Sequence, residues 1–124
     1  MSKPTTSELE ILQLLWEKEP QTVKEINEAI NLKKPTGYTT TLKILQIMTE
    51  KGFVEREVNG KKHLYYPKLK ESNTQKAMID KLLDSAFMGS AQKLIIRTLG
   101  NYKASKEEIK EIRQMLDKLD KKSK

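Results

Sequence analysis

The sequence contains no cysteine. Disulfides and thiolate metal sites are thereby excluded, and a reducing compartment suits the chain. It has one histidine, His63, with no second ligand close by, so no metal site is expected. Catalytic chemistry is as poorly provided for: there is no thiol, no plausible triad around that histidine and no glycine-rich phosphate loop. The carboxylates fall on helix surfaces or in capping positions, so neither an enzyme nor a cofactor is expected. Long apolar runs are missing too. The opening "MSKPTTSELE" is polar and nothing approaches membrane-spanning length, so the expectation is a cytoplasmic protein without direct membrane binding.

What is present is charge. Charged residues make up 33% of the 124 and apolar ones only 36%, which predicts one small domain, or one with an extension, around a modest core. The net charge of +7 is unevenly placed. From Ser7 to Leu32, six glutamates face Lys18 and Lys24; from Lys33 to Lys62, seven bases face Glu50, Glu55 and Glu57. A basic segment beside an acidic one is the footprint of a face that meets a polyanion, although an ordinary mixed surface accounts for the charge alone equally well.

Ser7-x-x-Glu10 reads as a capping box opening a first helix with Leu9, Leu12, Leu15 and Trp16 inward, ended by Pro20. Thr22-x-x-Glu25 opens a second helix, with Val23, Ile26, Ala29 and Ile30 on its inner face. "NLKKPTG" is a loop, since the residue before Pro35 is driven out of helical conformation. "YTTTLKILQIMTEK" follows as a third helix, 38–51, closed by Gly52. "FVEREV-NG-KKHLYYP" reads as a hairpin over 53–67 turning at Asn59-Gly60. Three short helices and a hairpin are the order of a winged helix-turn-helix.

The third helix opens on Thr39-Thr40-Thr41, β-branched residues that form helix poorly. On a helical wheel Tyr38, Thr41, Leu42, Ile44, Leu45 and Met48 share the core arc, while Thr39, Thr40 and Lys43 project opposite, preceded by Thr36. Hydroxyls and an ammonium on the N-terminal half of such a helix suit base edges and phosphates of double-stranded DNA. Either Thr36 or Thr39 also serves as the N-cap. Arg56, Lys61 and Lys62 around the hairpin tip suit a wing on phosphates.

Beyond Pro67 three apolar-striped helices follow. "ESNTQKAMIDKLLDSAFMG" is broken by Gly89, "SAQKLIIRTLG" is closed by Gly100, and Ser105-x-x-Glu108 caps a last helix. Met78, Leu82, Phe87, Leu94, Ile109, Ile112, Leu116 and Leu119 form the expected dimerisation surface, the last four in a seam rhythm. Folding back onto the N-terminal domain is the other use for these helices. The expected fold is mainly α with a small β-hairpin: a winged-helix domain over 1–69 and a helical dimerisation arm over 70–124.

"SELEILQLLW", "TVKEI", "TGYTTTLKILQIMTEKGFV" and "VNGKKHLYYP" together resemble the penicillinase-repressor family, from Ser7 to about Leu119. The resemblance implies a homodimeric winged-helix repressor on a palindromic operator. In one branch it also implies a membrane-embedded zinc-metalloprotease sensor that cleaves an Asn-Phe bond before the final helix; Asn101-Tyr102 stands at the matching place. The copper-responsive branch carries a cysteine metal motif that this chain lacks. A winged helix used only for protein contacts is the competing expectation. It accounts poorly for a Thr-Thr-Lys face where interaction surfaces tend to be apolar.

Overall fold

A computed structural model describes residues 3–101 and 103–122. In chain order the elements are α1 (Thr6–Glu17), β1 (Gln21–Thr22), α2 (Val23–Asn31), α3 (Tyr38–Lys51), β2 (Val54–Asn59), β3 (Lys62–Pro67), α4 (Glu71–Ala86), α5 (Ala91–Asn101) and α6 (Lys106–Lys122). The chain divides into two compact units, residues 1–77 and 78–124, with the division inside α4.

The first unit is a winged helix-turn-helix. Its core comprises Ile11, Leu12 and Leu15 of α1, Val23 and Ile26 of α2, Leu45 and Met48 of α3, and Phe53, Val54 and Tyr65 of the hairpin. The α1 helix starts earlier than its sequence signals suggest. The working capping box is Thr5 with Glu8, not Ser7 with Glu10: the Glu8 N–H donates to Thr5 Oγ1 and the Thr5 N–H to Glu8 Oε1. The buried stripe accordingly runs through positions 8, 11, 12 and 15, so Ile11 is fully buried while Leu9 is only half-buried.

Glu8 thus occupies a core-facing position, 3% exposed, which a carboxylate tolerates only when paired. Its partner is Lys51 at the end of α3, whose Nζ lies 2.9 Å from Oε2. Burial pushes the Glu8 carboxyl up, but the Thr5 N–H and the Lys51 ammonium outweigh it and hold the group below its usual value. Gln21 is the other buried polar group of this region, and its amide nitrogen donates to the carbonyls of Leu14 and Lys18 at the end of α1. Trp16 donates its indole N–H to the Leu69 carbonyl.

Thr22 and Glu25 form the expected box on α2. Gly52 closes α3 at φ 79°, with its own N–H on the Thr49 carbonyl and that of Phe53 on the Met48 carbonyl. The sheet holds a third strand that the sequence did not advertise: β1 pairs antiparallel with β3, giving the order β1-β3-β2.

In the second unit α4 ends before Gly89, and Ser105 and Glu108 cap α6 reciprocally. Gly100 does not close α5, which continues through it to Asn101. Among the described residues from 78 onward, none is buried.

Candidate nucleic-acid interface

The turn from α2 to α3 carries the densest side-chain hydrogen bonding in the first unit. The N-cap of α3 is Gly37, and neither Thr36 nor Thr39 caps it; among the described residues no side-chain cap hydrogen bond is made there. Rigidity comes from α2 instead. Asn27 Nδ2 donates to the Thr36 carbonyl at 3.0 Å and to Thr41 Oγ1 at 2.8 Å. Asn31 accepts from the Thr36 N–H and donates back to the Thr36 carbonyl, so the loop is gripped on both sides. Thr36 also donates its hydroxyl proton to the Lys34 carbonyl. A donor engaged in the turn is a weaker candidate for an outside acceptor, so of the threonines named from sequence Thr36 is the most committed locally.

Thr41 is fully buried, as are Leu45 and Met48, and this fixes the roll of α3. Thr39, Thr40 and Lys43 are exposed. Residues three and four apart neighbour one another on a helix, so the three make one patch. That face continues one turn on into exposed Gln46 and Ile47, then reverses charge at Glu50. Tyr38 departs from the expected core position. It is 52% exposed, because the core packs against α3 only from Thr41 onward and the first turn overhangs it.

The hairpin turns one residue later than Asn59-Gly60 predicts. Asn59 pairs with Lys62, leaving Gly60 and Lys61 as the two loop residues. Gly60 takes φ 65° while Lys61 does not enter the left-handed region, the pattern of a turn with glycine first. This register sets Val58 opposite His63 and Arg56 opposite Tyr65. Lys61 and Lys62 line an open groove with Lys24, Tyr38, Leu42 and His63, between the starts of α2 and α3 and the hairpin tip. The groove brings together two predicted residues with Lys24 and Tyr38, which the sequence did not single out: Lys24 lies in the acidic half of the chain, and the wheel put Tyr38 in the core.

Arg56 does not join them. It lies on the edge strand beside Glu19, Glu55 and Glu57. The Tyr66 phenol in that group is pushed up, first by burial and then by its hydrogen bond to Glu57. Lys62 faces Glu25, whose carboxylate the Thr22 N–H, aided by the Lys18 and Lys62 charges, holds low against partial burial. Lys51 is engaged by Glu8. The basic character of 33–62 is therefore concentrated at the start of α3 and the hairpin tip.

In the second unit Met78, Leu82, Ile109, Leu116 and Leu119 are 38–63% exposed, and Phe87, Leu94 and Ile112 are half-buried. Ile79, Ile95, Ile96 and Met115 add further exposed apolar surface. Asn101 is the last residue of α5; Tyr102 lies outside the described residues. Among the described residues no three His, Asp or Glu side chains gather as a metal set, and no helix is long and apolar enough to cross a membrane.

A model of the family described as penicillinase repressor matches residues 4–118. The chain is 24% identical over 114 residues to the methicillin resistance regulatory protein MecI of Staphylococcus aureus, covering 92% of this chain and 93% of that protein. It is 28% identical over 88 residues to the transcriptional regulator BlaI of Mycobacterium tuberculosis, covering 69% and 64%. Among solved structures, a "possible transcriptional regulator for arsenical resistance" superposes with a TM-score of 0.51 at 19% identity, over 68% of this chain and 88% of that one, a likeness of fold.

Proposed function

The chain belongs to the penicillinase repressor family of transcriptional regulators, and from that premise we propose that it represses transcription as a homodimer on a palindromic DNA operator. The observation that carries this is the two-sidedness of α3. One side, Thr41, Leu45 and Met48, is wholly buried, while the other offers Thr39, Thr40 and Lys43 to solvent. With α3 in the major groove, hydroxyls reach base edges or phosphates, and thymine methyls meet the threonine methyls. The uncapped first turn of α3 favours phosphate as well. Lys61 and Lys62, with Lys24 across the groove, touch the backbone on the flank; Arg56, beside glutamates, contributes least.

Dimerisation supplies the second half-site. Helices α5 and α6 bury none of their residues in one chain, and a second copy is the simplest cover for Leu82, Ile109, Leu116 and their neighbours. Two recognition helices then enter major grooves about 34 Å apart. Cleavage between Asn101 and Tyr102 by a membrane-bound metalloprotease sensor removes α6 and with it much of the seam. The resulting monomer forfeits the avidity of two linked half-sites.

Selection of bound duplexes from a random pool tests the proposal. A palindromic consensus, bound in a strongly salt-dependent manner, is expected. No salt-sensitive binding to any duplex would favour a protein-interaction module and overturn the DNA reading. For the cleavage step, mass spectrometry of the chain from derepressed cells should find a fragment ending at Asn101. Only intact chain there would remove proteolysis from the account.

A further inference from the structure

Resting on the reading of α3 as the DNA-reading helix, we propose that Asn27 is a positioning residue that sets how α3 is presented to the bases. Its amide nitrogen has two protons, and both are engaged on either side of the α3 N-cap: one on the Thr36 carbonyl, the other on Thr41 Oγ1. Thr41 is 0% exposed, and among the described residues no buried side-chain nitrogen or oxygen lacks a partner, so this hydroxyl is satisfied by Asn27 alone of the hydrogen bonds seen. Asn31, one turn further along α2, donates to the Asn27 carbonyl and the Thr36 carbonyl and accepts from the Thr36 N–H.

These bonds take the place of an N-cap side chain, but they come from another helix. A serine or aspartate at position 37 would fix the first turn by occupying one of its amides. Gly37 leaves those amides without a side-chain acceptor, and Asn27 holds the turn through the carbonyl before the cap and the hydroxyl behind it. The turn is rigid while its leading face is uncovered. Thr41 sits between Thr40 and Lys43 in sequence, so a shift at Thr41 carries over to both. A binding constellation must be held within about 0.5 Å of its productive geometry.

The test measures the ratio of affinities for a selected operator and a random duplex, using full-length protein. Asn27→Asp keeps the shape and removes both donors; Thr41→Val keeps the volume and removes the acceptor; Thr41→Ser keeps the acceptor. Asn27→Asp and Thr41→Val are each expected to lower the ratio about tenfold, the size of a single mismatched base pair, with Thr41→Ser near wild type. Glu8→Gln, which removes the α1 partner of Lys51 at the far end of α3, should lower the thermal midpoint and leave the ratio unchanged. An unchanged ratio in folded Asn27→Asp or Thr41→Val overturns the assignment, because a purely structural role scales both affinities together. If Asn27→Asp does not fold, Thr41→Val against Thr41→Ser decides the matter alone. Wild-type protein that fails to discriminate between duplexes instead contradicts the DNA reading itself.

Discussion

Glu8 carries a charge at a buried position of α1 and is tolerated there because Lys51 and the Thr5 N–H pair its carboxylate. It closes the capping box with Thr5 while facing the core, a place that Ser7 and Glu10 do not signal. Its carboxylate is held low in the folded state, so the stabilisation it gives is full above its unfolded value near 4.5 and disappears as the pH falls through the folded one. Glu8→Gln should therefore lose about 1–2 kcal/mol at pH 7, discounted because Lys51 keeps some water access. The difference from wild type should close on acidification below that range, as followed by chemical denaturation. A difference constant down to pH 3 would mean that Glu8 stabilises through packing and not through charge.

At the scale of elements, the wing and the end of α3 depend on left-handed glycines. Gly52→Ala meets open space but must hold φ 79°, and should cost about 1 kcal/mol by thermal unfolding. Replacing Lys61 and Lys62 together with Ala should lower the salt slope of DNA binding by about two, one for each phosphate no longer neutralised. A slope left at the wild-type value would take the hairpin tip out of the interface. Much of this element order was legible beforehand, since the α2 box, the span of α3 and its closing glycine are local signals with strong periodicity. The hairpin turn slipped by one residue because Asn59-Gly60 and Gly60-Lys61 are both acceptable turns, and the choice falls to pairing over the whole of β2 and β3, where Val54 and Tyr65 must reach the core. Strand β1, two residues long, has no periodicity to read. The Asn27 clamp was invisible for a similar reason: it joins residues nine and fourteen apart through a tertiary contact that no spacing rule encodes.

For the whole molecule, the proposed dimer assigns the second unit the task of pairing two winged helices. No residue of α5 or α6 is buried, so the proposed association with a second copy would supply the core that these helices lack. Ile109→Asp with Leu116→Asp should convert a dimer to a monomer in sedimentation velocity and weaken operator binding by roughly 100-fold or more, with each winged helix still folded. The proposed function assigns DNA reading to one outward face of α3, and the titration of Lys43→Ala against a selected operator and a random duplex, beside wild type, tests that most directly. The account predicts an operator affinity lower by about 1–3 kcal/mol with a much smaller loss on random duplex. Equal losses on both duplexes, or none on either, would contradict it.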